Sequence, residues 1–254
     1  MRLAVVGKGG AGKSVVSGTL ARVWAQRGDR VLAVDLDANP GLALSIGIPL
    51  SDEGLPGEAV EAAEAVAYGF RLRSGLTPAE AVDLYAQMGP DEVRFLQIGN
   101  IDRAAHSVAR NVVAIRGILR GFDNPGWHVI GDLEAGPTTP FEGYVKFANL
   151  GLLVVEPSAT SILAGRRLAA ILRDGKLEYR LVANQVRDDA GDTEIRDLAE
   201  ELGSEVIATI PYDPAVADSD RLGLAPIDHS PRSPAILSIK ELASTLSALV
   251  GLRR

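Results

Sequence analysis

Apolar residues along the chain fall into short, nearly continuous runs: Leu3 to Val6, Val31 to Val34, Phe95 to Ile98, Trp127 to Ile130, Leu150 to Val155, Tyr179 to Ala183 and Val206 to Ile210. Most are too short for helices. Several carry Val and Ile without the alternation of a half-buried strand, which is the pattern of strands covered on both faces. Between them lie stretches with apolar residues at helical spacing, notably Lys13 to Arg27, Ala104 to Phe122, Ser161 to Arg173 and Thr193 to Leu202. This rhythm predicts an α/β fold, a doubly wound and mostly parallel sheet, formed by residues 1–254 as a single domain. Residues 51–92 interrupt it with Gly, Pro and acidic residues ahead of a helix expected from Pro78 to Met88, and read as an insertion or mobile region. The last expected helix, Pro234 to Val250, sets Ile236, Ile239, Leu242, Leu246 and Leu249 on one stripe, with Lys240 as its only cation. Such a stripe suits core packing, whereas a membrane-surface helix wants a basic face.

Composition narrows the classes. A chain of 254 residues with 46% hydrophobic content can bury a large core. Its formal net charge of -7 favours neither nucleic acid nor an anionic membrane as partner. With no cysteine there is no disulfide, thiolate zinc site, cysteine-ligated cluster or cysteine nucleophile. The first residues run straight into a strand without a basic leader, and no window reaches 18 uninterrupted apolar residues, so the expectation is a soluble, cytoplasmic protein.

The chemistry concentrates first in "VVGKGGAGKS", residues 5–14. Gly7, Gly12, Lys13 and Ser14 have the spacing of a phosphate-binding P-loop, after a predicted strand and at the start of a predicted helix. Backbone N–H groups of Gly7, Gly9, Gly10, Ala11, Gly12, Lys13, Ser14 and Val15 are the candidates to surround phosphate oxygens, helped by the positive end of the helix. Lys13 would hold the β and γ phosphates and Ser14 a Mg²⁺ ion. A second cation, Lys8, has no task on phosphates bound by its own loop. It is either a solvated loop cation or a group that serves a nucleotide held by a second subunit. In "VDLDANPGLAL", Asp35 and Asp37 stand two apart at a strand's carboxyl end, where open α/β sheets bind ligands. One carboxylate can serve the metal shell, with Asp35 nearer to it, while the other orients a water; alternatively Asp37 caps the following turn. In "WHVIGDLEAGPTTPF", Asp132 ends a strand where a carboxylate would hold a Mg²⁺-bound water, and Gly136 could offer its N–H to the γ-phosphate.

The motif "KGGAGKS" resembles the deviant Walker A of the MinD/ParA/ArsA class of ATPases, which also includes the nitrogenase iron protein. "DLEAG" with "LLVVEPSATSILAGRRLAAIL" most resembles the CooC-type ATPases of carbon monoxide dehydrogenase maturation. The resemblance implies a P-loop NTPase fold, ATP and Mg²⁺ as ligands, a homodimer when ATP is bound, and a client protein. It makes Lys8 the lysine that acts across the dimer and Asp37 the residue that positions the attacking water, with the loop after Asp37 as a switch. It matches Asn184 to the asparagine that reads adenine, and Pro211 and Asp213 to the loop framing the base. Read without it, Asn184 could cap a strand and "PYDP" could be an ordinary turn. Glu134 fits the CooC-type pattern, and the residues alone give it no separate role.

Two departures stand out. Val15 replaces the Ser or Thr of many relatives and lacks their hydroxyl. The Cys-X-Cys metal pair of CooC-type proteins is missing, and "RAAHSVARNV" offers only His106 there; His128 and His229 lie in unrelated segments. One imidazole per subunit is a poor transition-metal site. Two other classes stay open: amide-forming enzymes of the cobyrinic acid a,c-diamide synthase type, and MinD/ParA-like positioning ATPases. The first normally adds a glutaminase domain with a cysteine nucleophile, and the second uses a membrane or DNA surface that this charge balance disfavours.

Overall fold

The computed structural model describes residues 1–37, 41–64, 69–99, 105–133 and 145–251. Its strands are β1 (Arg2–Gly7), β2 (Arg30–Leu36), β3 (Val60–Ala62), β4 (Phe70–Leu72), β5 (Gln87–Met88), β6 (Arg94–Gln97), β7 (Trp127–Leu133), β8 (Leu150–Val155), β9 (Tyr179–Val186) and β10 (Val206–Pro211). The helices are α1 (Lys13–Gln26), α2 (Leu42–Ile46), α3 (Pro78–Tyr85), α4 (Ala105–Gly121), α5 (Ala159–Asp174), α6 (Asp189–Glu201), α7 (Pro214–Leu222), α8 (Pro226–His229) and α9 (Pro234–Gly251). Among the described residues the main sheet runs β10-β9-β8-β1-β7-β2-β6-β5, parallel throughout except for the antiparallel edge strand β5, and β3 and β4 form a separate small hairpin. The doubly wound α/β fold expected from the runs is therefore the fold observed.

The reason the runs lack alternation is visible in β1. Leu3 and Val5 turn to one face, with Leu20 and Trp24 of α1 and Ile236, Ile239, Leu242 and Leu246 of α9. Ala4 and Val6 turn to the other, with Ile115 and Ile118 of α4 and Leu168 and Leu172 of α5. Both faces are dry, so each strand position is apolar. The stripe on α9 is core, as its spacing predicts. No helix among the described residues is long and apolar enough to cross a membrane.

Two boundaries and one segment differ from expectation. The helix expected to reach Met88 stops at Tyr85, because Gly89 and Pro90 reverse the chain and lay Gln87 and Met88 antiparallel to β6. α6 begins at Asp189, four residues early, because the Asp188 side chain accepts the Gly191 N–H at 2.8 Å and caps it. The stretch after Pro211, expected as a loop, is helical: Asp213 caps α7, Pro214 opens it, and Gly223 closes it in the left-handed region. The described part of residues 51–92 is packed, burying Leu55, Ala59, Ala81 and Val82 in the same cluster as α4.

Fully buried Trp24 stacks on the His128 ring, centroids 4.2 Å apart and planes 12° from parallel. Burial, together with the nearby N-terminal ammonium, pushes the imidazole down to about 4, against the pull of Asp29 at 3.5 Å. An unfolded histidine titrates near 6.5, so between that pH and about 4 the unfolded chain takes up a proton that the native protein refuses. Stability contributed here is present at neutral pH and lost as the pH falls. We expect His128→Phe to remove about 1–2 kcal/mol of the stability lost between pH 7 and pH 5, measured by urea unfolding of both proteins at the two pH values. An unchanged pH difference would refute the assignment.

Candidate functional site

β1 ends between β7 and β8, and the loop leaving it meets the carboxyl ends of β2 and β7. A β-carbon on Gly7 would run into the Val154 carbonyl oxygen, and one on Gly12, whose φ is 88°, into the Asn184 amide. The Ala11 N–H closes the turn on the Lys8 carbonyl at 3.1 Å. α1 then starts at Lys13 with no side chain capping it and no acid in its first turn. The first-turn N–H donors of a helix need acceptors. Here the chain supplies none from a cap, so the loop and helix end fit an anion of phosphate type. Lys13 is buried, 6% exposed, with its ammonium 3.5 Å from the Lys8 carbonyl. The Lys8 side chain points elsewhere: its ammonium lies 2.9 Å from Glu156 at the end of β8.

Behind the loop stand two buried carboxyls in register on adjacent strands, Asp35 of β2 and Asp132 of β7. Asp132 accepts the Ser14 hydroxyl at 2.6 Å and the Ser17 hydroxyl at 3.2 Å. Burial raises it to about 6, although the Ser14 bond and the Lys13 charge oppose the shift. Both oxygens of Asp35 accept backbone N–H groups, from Asp37 and Leu42, each at 3.0 Å. Burial first and Asp132 second raise Asp35 to about 7. Asp37 is half-buried and its charge acts on both. Two buried carboxyls beside a hydroxyl are an excess of negative charge that a hard divalent cation would relieve, so Ser14 and Asp132 fit Mg²⁺. Asp35 sits next to them with its oxygens turned to the loop backbone. Among the described residues no three His, Asp or Glu side chains stand where they could jointly hold a metal ion.

Beside the loop lies a cavity of about 340 Å³, lined by Gly10, Gly12, Val15, Asn184, Pro211 and Asp213 among others, mostly apolar side chains of α2, α7 and α9. Buried Asn184 donates its amide to the Ala11 carbonyl at 2.7 Å, which ties the cavity wall to the loop. Asp213 reaches the wall, but its oxygens accept the N–H groups of Ala215 and Ala235, at 3.0 and 3.2 Å, and so join α7 to the start of α9. Gly136 and Glu134 lie outside the described residues, as do the loop residues 38–40. His106 falls in α4, and its side chain is also outside them.

The structure adds residues that the sequence reading did not single out. Gln185 donates to the Gly10 carbonyl at 2.8 Å from a left-handed backbone, φ 57°. Ser17, one helical turn after Ser14, reaches the same carboxylate, and that spacing was readable. Glu156 stands 148 residues from Lys8, and no local signal joins them.

The profile of the CobQ/CobB/MinD/ParA nucleotide binding domain matches residues 3–227. An uncharacterized ATP-binding protein of Methanocaldococcus jannaschii is 31% identical over 235 residues, 88% of this chain and 90% of that protein. The carbon monoxide dehydrogenase accessory protein CooC of Rhodospirillum rubrum is 29% identical over 246 residues, 91% of each chain. In fold, the septum site-determining protein MinD of Pyrococcus horikoshii, solved with Mg-ADP, superposes with a TM-score of 0.74 over 100% of this chain and 98% of its own, at 17% identity.

Because Asp132 is ionised at pH 8 at a cost, replacing it by a neutral isostere should stabilise the protein in the absence of nucleotide and Mg²⁺. A carboxyl whose folded value is raised loses stability as pH rises through that value, here about 6, and nothing changes below the unfolded value near 4. We expect Asp132→Asn to add about 1–3 kcal/mol at pH 8 and close to nothing at pH 4, read from denaturant unfolding at both pH values. Equal or lower stability at pH 8 would contradict the electrostatic account.

Proposed function

The chain belongs to the CobQ/CobB/MinD/ParA nucleotide-binding domain family, and from that membership we propose that it is a Mg²⁺-dependent ATPase working as a nucleotide-driven dimerisation switch. The observation that carries this reading is the contrast between its two loop lysines. Lys13 is buried under the phosphate loop, while Lys8, five residues earlier, is turned away from it and is 36% exposed. A lysine so placed is available to a nucleotide on a facing subunit, in the manner of an arginine finger.

In this reading ATP lies with its phosphates on the N–H groups of Gly9 to Val15 and its base in the cavity against Asn184 and Pro211. Lys13 binds the β and γ phosphates, and Asp37 orients the attacking water. The water oxygen forms a bond to the γ-phosphorus as the bond to the bridging oxygen breaks, giving ADP and phosphate. Mg²⁺ held by Ser14 and Asp132 would neutralise charge on the phosphates. Lys8 of each subunit meets charge developing on the partner's nucleotide. The output is the maturation or remodelling of a client protein in the cytoplasm. The carbon monoxide dehydrogenase accessory protein among the relatives supports a metalloprotein client. The absence of a basic balance argues against nucleic acid or membrane as the working surface.

Two measurements test this. For Asp37→Ala, light scattering on a sizing column should give a dimer with Mg-ATP and a monomer with Mg-ADP; the same mass in both would overturn the switch. Lys8→Ala should retain ATP binding but hydrolyse about 100-fold more slowly. A parent rate would remove the shared site.

A further inference from the structure

Lys8 is held in a built position. Its ammonium and the Ser158 hydroxyl, at 2.9 and 3.1 Å, donate to the same Oε1 of Glu156. The Ser158 oxygen also accepts the Ser161 N–H and so caps α5, while the Ser161 hydroxyl, itself buried, accepts the Glu156 N–H at 3.1 Å. Glu156 is thus fixed through its backbone and its side chain at the mouth of the phosphate loop. Nothing in the nucleotide-binding reading uses it.

We infer that Glu156 is a positioning residue that keeps Lys8 on its own subunit until a partner's nucleotide competes for it. This rests on the trans role of Lys8 proposed above and adds the group that opposes that role. The exchange needs only a side-chain swing, because the Lys8 carbonyl stays bonded to the Ala11 N–H while the ammonium moves. A triphosphate carries more charge than one carboxylate and draws the lysine away. A diphosphate lacks the terminal group and draws it less, so the lysine returns. The pair therefore biases the protein towards the monomer and sharpens its discrimination between ATP and ADP states. Two such pairs open per dimer. Partly exposed ion pairs shift an equilibrium about 1.5- to 5-fold each, so their combined effect on dimer dissociation is roughly 2- to 25-fold.

The test is the dimer dissociation constant, by analytical ultracentrifugation with Mg²⁺ and β,γ-imido ATP, for the parent, Glu156→Gln, Lys8→Ala and the double variant. Glutamine keeps an acceptor for Ser158 and the backbone bond to Ser161, and thermal melting checks that the fold is retained. Glu156→Gln should dimerise roughly 2- to 25-fold more tightly, with monomer affinity for nucleotide unchanged. The double variant should match Lys8→Ala. An unchanged or weaker dimer in Glu156→Gln overturns the inference while leaving the switch intact if Lys8→Ala still loses the dimer. If Lys8→Ala dimerises like the parent, the trans lysine and this inference fall together. Tightening that persists in the double variant also overturns it, since the effect would not run through Lys8.

Discussion

Where β1 ends there is no room for a side chain. A β-carbon at Gly7 would occupy the space of the Val154 carbonyl oxygen, so the strand can leave the sheet between β7 and β8 only as glycine. The next residues inherit that path. Lys8 emerges alongside the end of β8 and meets Glu156; the loop then turns back through Gly10 and Gly12, both at positive φ, and delivers Lys13 to the start of α1. The helix begins uncapped where Asp132 of the neighbouring strand faces its first turn. One steric constraint thus sets the path that places both lysines and the free helix end, and the register of β1 and β7 brings the carboxylate behind them.

The charges assembled there are not at ease in the protein by itself. Asp35 and Asp132 sit in register; burial disfavours the ionised form of each, and a neighbouring carboxylate adds to this, Asp132 for Asp35 and Asp37 for Asp132. Lys13 is buried, with the Lys8 carbonyl oxygen 3.5 Å from its ammonium. A buried charge without a strong partner costs stability. A site that holds opposite charges close but unneutralised gains most from a ligand carrying both a phosphate and a divalent cation. This is the usual trade of stability for function, expressed in a handful of side chains.

How much of this could be read beforehand follows from locality. The strands were legible because a sheet covered on both faces leaves an unbroken apolar run, and the loop was legible because its glycines, lysine and serine lie within ten residues. Ser14 and Asp132 were each legible alone, but their 2.6 Å contact depends on the register of β1 and β7. Glu156 and Gln185 were invisible as partners of the loop, since packing between strands, and not spacing, brings them there. Helix α7 has ordinary start and stop signals in Asp213, Pro214 and Gly223, and they fall on the stretch that the resemblance assigns to a base-framing loop. The same cap explains why the Asp213 carboxylate is engaged by backbone N–H groups.

The remaining question is how one end of the site could inform the other. Asp35 bonds the N–H groups of Asp37 and Leu42, so the ends of the intervening loop are fixed to a residue in register with Asp132. Leu42 opens α2, and α2 has no slack of its own: Ser45 lies so close to α1 that a β-carbon on Gly18 would meet it at 2.6 Å. Leu44 and Ser45 of the same helix line the cavity beside the loop. Close-packed contacts of this kind pass on displacement instead of absorbing it. α2 therefore joins Asp35 at its first residue to the cavity wall at Leu44 and Ser45, so the phosphate end and the cavity end of the site share one tightly packed element.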